Sequence, residues 1–135
     1  YKSAPFPIVG ASEAPFTGVF DGNGHAISNF SYAAANGSDI AVFGLVSGTK
    51  ATVSRLTLVT PDVQVSAGQH VAALVGRLEG GRVDQCAIDG GQVSAHSQVG
   101  GLIGTNNRGQ VTACTSTAQV SGSEHTSELI GFDSP

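Results

Sequence analysis

The apolar positions of this chain follow one short pattern that returns about every 28 residues. Val71 through Cys86 align without a gap on Val99 through Cys114, so Leu74, Gly76, Val83 and Cys86 recur as Leu102, Gly104, Val111 and Cys114. An earlier copy reads Val42-Phe43-Gly44 and then Val53, Leu56 and Leu58, with two extra residues in its turn. A degenerate first copy runs from Phe16-Thr17-Gly18-Val19-Phe20 to Ile27-Ser28-Asn29-Phe30, and a last one begins at Leu129-Ile130-Gly131. In each copy a short apolar run ends at a glycine and gives way to a polar turn such as Thr105-Asn106-Asn107-Arg108-Gly109. Next come Val53, Leu56 and Leu58, then Val83, Cys86 and Ile88, then Val111, Cys114 and Ser116, spaced by a gap of three and a gap of two. Neither a helical period nor one straight strand keeps all three positions on one face, whereas two short strands meeting at a bend do. A third strand follows at Val63 and Val65, at Val93, and at Val120.

Three short strands and three turns per repeat describe one triangular coil, bonded to the next at the ~4.8 Å spacing of a parallel sheet. The pattern predicts an all-β chain: a right-handed parallel β-helix, a three-sided solenoid of about four coils of roughly 28 residues. Equivalent positions then stack into internal ladders, Leu56 over Cys86 over Cys114 and Val53 over Val83 over Val111. A leucine-rich solenoid would need a helical segment in each repeat, and a β-sandwich would not hold positions at a fixed interval. The domain expectation is a lead-in or cap over residues 1–15, rich in Pro and aromatics, then coils over 16–135. The last coil is read as incomplete and the chain as a single domain from a longer protein.

Composition narrows this further. The apolar share is 40%, enough for a core, but it is carried by small residues among 19 Gly, with no Met or Trp, which suits a thin interior. Six Lys and Arg against ten Asp and Glu leave a net charge of −4, which argues against nucleic acid as a partner. No apolar run approaches the ~20 residues of a membrane-spanning helix, so membrane insertion is not expected.

Gly101-Leu102-Ile103-Gly104 resembles the GLUG motif, a Gly-Leu-any-Gly run, and Ala73-Leu74-Val75-Gly76 and Glu128-Leu129-Ile130-Gly131 keep part of it. Gly109-Gln110-Val111-Thr112-Ala113-Cys114 is similar to the rest of that repeat, and Phe20-Asp21-Gly22-Asn23-Gly24-His25-Ala26-Ile27 resembles the opening coil of bacterial extracellular β-helices. The resemblance covers roughly residues 16–131 and implies a β-helix in a bacterial surface or secreted protein, in company with adhesins and non-catalytic regions of IgA-specific metallopeptidases. It implies a fold and an address more than an activity.

Among polar groups, Asp21, Asn23 and His25 stand out in Asp21-Gly22-Asn23-Gly24-His25. Alternating Asp, Asn and Gly suggest a calcium loop, but the closing carboxylate is missing, and a tight turn with positive φ at Gly22 and Gly24 accounts for the residues. Cys86 and Cys114, one coil apart, allow either a disulfide or a reduced buried ladder, and the reading favours the ladder. His70, His96 and His125 fall in turns at unequal spacing. They are candidates for a metal-binding or pH-sensing column with Glu124 and Glu128 nearby, or are simply solvated. Asp21, Asp39, Asp62, Asp84 and Asp89 scatter, Asp84 has Ser54 and Thr112 as stacked neighbours, and Arg55, Arg77, Arg82 and Arg108 do not align with the acids. No acidic pair for glycoside hydrolysis is built. No catalytic residue, metal ligand set or cofactor is therefore expected.

The functional expectation is a non-catalytic structural or binding segment of a bacterial surface or secreted protein, adhesin-like. Its flat faces, carrying Thr112, Thr115, Thr117 and Gln119, would meet a glycan or a host or surface protein. The alternative is the scaffold of a carbohydrate-active β-helix enzyme, a polysaccharide lyase or hydrolase, with its catalytic residues elsewhere. An open β-helix end would also favour self-association, unless residues 1–15 cap it.

Overall fold

The structure, a computed structural model, describes residues 15–134. Apart from Pro15, the lead-in over residues 1–15 lies outside the described residues. The first turn comprises β1 (Val19–Ser28), β2 (Ser31–Ile40) and β3 (Phe43–Ser47), and the second β4 (Thr52–Val59), β5 (Asp62–Val71) and β6 (Val75–Glu79). In the third the sides break into β7 (Arg82–Asp84), β8 (Ala87–Asp89), β9 (Gln92–Ser94), β10 (Ser97–Gly100) and β11 (Ile103–Asn107). The fourth repeats this as β12 (Gln110–Thr112), β13 (Thr115–Ser116), β14 (Gln119–Ser121), β15 (Glu124–Ser127) and β16 (Ile130–Ser134). Each turn contributes to the same three sheets, and the described chain is an all-β parallel solenoid of about four turns. β16 gives the fourth turn its third side.

Register follows the repeat. Phe20, Val53, Val83 and Val111 are successive partners on the first side, and Phe43, Val75, Ile103 and Ile130 on the third. The 28-residue interval holds from Val75 to Ile103. It widens earlier, because β1 carries a bulge between Asp21 and His25 and β2 and β5 are each 10 residues long.

The bend inferred from the uneven spacing is a single left-handed residue. Arg55, Gln85 and Ala113, each one residue before Leu56, Cys86 and Cys114, have φ of 53°, 54° and 52°. In the second turn β4 runs through this kink, and in later turns the strand divides there. A non-glycine residue in this conformation costs roughly 1–2 kcal/mol. Turning one more Leu or Ile inward gains ~1.5–3 kcal/mol, so the kink is tolerated; Val53, Leu56 and Leu58 are all buried. A second left-handed column, Asp39, His70, Gln98 and His125, marks the end of the second side.

The core is one cluster of Val, Leu, Ile, Phe, Ala and Cys86 running the length of the described turns. In the fourth turn Val111, Cys114, Val120, Leu129 and Ile130 are only partly buried, as no further described strand stacks on them.

Candidate functional site

The outward positions form columns as regular as the inner ones. On the first side Asp21, Ser54, Asp84 and Thr112 are successive partners, and beside them run Thr52, Arg82 and Gln110. On the second side Asp62, Gln92 and Gln119 stack, next to Gln64, Ser94 and Ser121. Side chains hydrogen-bond along the columns from coil to coil. Thr112 Oγ1 donates to Asp84 Oδ1 at 2.6 Å, Gln92 Nε2 to Asp62 Oδ1 at 3.2 Å, and Thr60 Oγ1 to Asn29 Oδ1 at 2.8 Å. Stacking at ~4.8 Å places like polar groups within reach of one another, which turns the sides into ordered hydroxyl and amide surfaces.

The Asp21 segment is a bulge closed by an ion pair. Asp21 Oδ1 accepts from the Asn23 amide at 2.9 Å and from Arg55 Nε at 2.8 Å, and its other oxygen pairs with Arg55 Nη2. The Arg55 hydrogen bonds, then the Asn23 amide, hold the Asp21 carboxyl below the usual carboxylate range. Positive φ falls at Asn23 and Gly24, not at Gly22. Gly22 is required for a different reason: a Cβ there would sit 2.4 Å from the Arg55 carbonyl oxygen. His25 is exposed opposite Leu56 and lies outside this pairing.

Arg55 and Arg77 do meet acids, contrary to the scatter read from the sequence. Arg77 donates through Nε and Nη2 to both oxygens of Asp39, at 3.1 and 3.0 Å, and through Nη1 to Glu79 at 3.1 Å. Asp39 is only 8% exposed. His70 Nδ1 lies 2.8 Å from Thr105 Oγ1 beside this cluster, and burial of its ring lowers its pKa, partly opposed by Asp39. Sequence alignment misses the Asp39–Arg77 pair because its members lie on different sides of the solenoid, 38 residues apart. No multiple of the repeat connects them.

The three histidines do not form one column. His70 and His125 occupy the left-handed corner with Asp39 and Gln98, so Gln98 separates them by two coils, ~9.6 Å at sheet spacing. His96 precedes that corner and is exposed. His125 packs edge-on against Phe132, with ring centroids 4.9 Å apart. Among the described residues no group of three His, Cys, Asp or Glu is placed to hold a metal ion.

Cys86 and Cys114 are free thiols in equivalent places, flanked by the partner pairs Asp84–Thr112 and Ala87–Thr115. Cys86 is buried, and its Sγ faces the Val53 and Asp84 carbonyls at 3.6 and 3.5 Å; Cys114 is half-buried, 3.1 Å from the Thr112 carbonyl. The neighbouring Cys114 thiol, and then burial, raise the Cys86 pKa, while the Cys86 thiol beside it lowers that of Cys114 to about 7. The thiolate is the nucleophile, so alkylation of the folded protein by iodoacetamide is expected at Cys114 alone, its rate climbing through about pH 7. Cys86 should react only after unfolding in urea. Peptide mass spectrometry reads both sites, and equal labelling of the two in the folded state would contradict the burial of Cys86 beneath Cys114.

The third side carries the glycine that ends each apolar run. A Cβ at Gly76 would lie 2.7 Å from the carbonyl oxygens of Gly44 and His70; at Gly104, 2.6 Å from the Gly76 oxygen and 2.7 Å from the Val71 nitrogen. At Gly131 it would lie 2.6 Å from the Val99 backbone. Two positions before each glycine, Leu74 and Leu102 are fully buried. At Gly101 a Cβ would lie 2.2 Å from the Glu128 carbonyl oxygen. Gly-Leu-x-Gly thus describes a corner where backbone meets backbone and one Leu fills the interior, and a family model for the GLUG motif matches residues 95–121. The chain carries GLUG-motif repeats. Halomucin of Haloquadratum walsbyi is similar: 32% identical over 112 residues, which is 83% of this chain and 1% of halomucin. The chain therefore spans about 1% of the length of that relative. No solved structure matches. In the GLUG repeat at 95–121 the second glycine, Gly104, and the cysteine, Cys114, belong to successive turns, so the motif joins the third side of one coil to the first side of the next.

Proposed function

We propose that this chain is a non-catalytic structural and binding segment of an extracellular or cell-surface protein, adhesin-like, presenting its flat sides to a glycan or protein partner. The observation that carries the reading is the coil-to-coil bonding of the outward columns, Thr112 to Asp84 and Gln92 to Asp62. Such bonding holds hydroxyl and amide groups in a fixed array, so less side-chain freedom is lost when a sugar or a protein surface docks. A further observation supports it. Halomucin, the similar protein, is named as a mucin, and a rigid solenoid suits a spacer or display element in such a protein.

The test is retention of the whole chain on immobilised neutral and acidic polysaccharides and on glycoproteins, with reducing-end release measured in parallel. Retention on at least one of these without release is expected. Release of reducing ends that depends on Asp21 or Asp84 would replace this reading with a hydrolytic one, and absence of retention on every surface would reject it.

A further inference from the structure

We infer that the corner joining the third side to the first is a binding subsite for an acidic sugar, one bearing a carboxylate or a sulfate; this rests on the glycan-binding reading above and names the class of glycan. Three turns stack at this corner. The amide of Gly48 bonds the Glu79 carbonyl at 3.0 Å and that of Gly80 the Asn107 carbonyl at 3.0 Å, while Arg82 and Gln110 bond back to Ala51 and Gly81 at 2.9 and 2.8 Å. The stack brings Lys50, Arg82 and Arg108 to one edge, three of the chain's six Lys and Arg, in a protein of net charge −4.

Beside Arg82 and Arg108 lies a shallow groove of about 360 Å³ lined also by Thr49, Thr52, Gly80 and Gln110, a volume within the ~300–1,000 Å³ of small-ligand sites. Gly80 helps keep it open: its φ is +78°, and a Cβ there would meet nothing within 4 Å. The two guanidinium groups differ from the others in the molecule. Arg55 is committed to Asp21, and Arg77 to Asp39 and Glu79. Arg108 has no ion pair among the described residues, and Arg82 reaches Asp84 only at 4.0 Å, an acid that already accepts from Thr112. The unpaired fork of Arg108 and the loosely held fork of Arg82 beside the groove match the paired oxygens of a carboxylate or sulfate. Thr49, Thr52 and Gln110 add hydroxyl and amide groups suited to the neutral part of a sugar. The overall acidity of the chain keeps this from being general polyanion attraction, since attraction is confined to one corner.

The experiment compares retention of the full chain on alginate (a polyuronate), dextran sulfate and neutral dextran. Variants are Arg82→Gln/Arg108→Gln, the charge-keeping Arg82→Lys/Arg108→Lys, and Arg55→Gln as a cation outside the groove. Glutamine already occupies left-handed backbone at Gln85 and Gln98, so the change at Arg108 leaves the turn intact, which a thermal melt checks. Expected is binding to alginate, dextran sulfate or both in preference to dextran. The Gln pair should weaken it roughly tenfold or more, the Lys pair should restore it only in part, and Arg55→Gln should leave it unchanged. Which acidic polymer is held identifies the anion. Equal binding to dextran, or acidic binding untouched by the Gln pair, overturns the subsite while the broader glycan reading stands. Absence of binding to any polysaccharide overturns the subsite and removes the glycan arm of that reading.

Discussion

Replacing Gly104 by alanine is expected to lower the free energy of unfolding by about 3 kcal/mol, whereas Gly18→Ala should change it by less than ~0.5 kcal/mol. The two differ only in what the new methyl meets. At Gly104 it would lie 2.6 Å from the Gly76 oxygen, 2.7 Å from the Val71 nitrogen and 2.8 Å from the His70 carbonyl carbon. All three are backbone atoms held in strands bonded on both sides, so no rotamer change relieves the overlap. At Gly18 the nearest atoms are Phe16 ring carbons at 3.7 Å, an ordinary contact. Gly104 does not have positive φ, so the effect would be one of space and not of backbone conformation. Urea unfolding of both variants measures it: a shift in midpoint with unchanged slope reports stability alone. If Gly104→Ala and Gly18→Ala were equally mild, the close approach of the two sides at this column would be wrong.

Arg77→Ala is expected to cost about 3 kcal/mol, the low end for breaking a buried pair because the arginine itself is 26% exposed. The loss comes from what stays behind. Asp39, 8% exposed, would be left without the fork that now satisfies both oxygens. Asp39→Asn in the Arg77→Ala background should recover much of the loss, since the buried charge is then removed. Arg55→Ala provides the contrast: its pair with Asp21 is solvent-exposed and should contribute within the ~0–1 kcal/mol of surface pairs. Equilibrium unfolding of these variants, with Asp39→Asn alone completing the cycle, yields the coupling energy. Equal costs for Arg77→Ala and Arg55→Ala would mean that burial of Asp39 does not matter.

Particular residues show how far the chain could be read without coordinates. Val53, Leu56 and Leu58 implied a bend from their spacing alone, and Arg55, with φ 53°, supplies it. The ladder Val53, Val83 and Val111 is found in register. The column Val46, Leu78, Asn106 and Asp133 changes character halfway. Asn106 remains buried by donating to Asp133 at 2.9 Å and accepting from the Gly109 amide at 2.9 Å, a substitution for Leu78 that periodicity could not anticipate. The Asp21 turn was legible as a turn with Gly24 at positive φ, but Asn23 as its other left-handed residue and its ion pair were not.

The division has a simple cause. In a parallel solenoid each residue pairs with its own equivalent one coil on, so a single interval along the chain sets strand partners, inner ladders and outer columns together. That interval is local information, present in the order of apolar and glycine positions. Contacts between sides obey no such interval. Asp39 meeting Arg77, His70 meeting Thr105, and Arg82 and Arg108 sharing a groove at a corner depend on how sharply each turn bends and where a long side chain reaches. Those are properties of packing in three dimensions, and only the folded coil decides them.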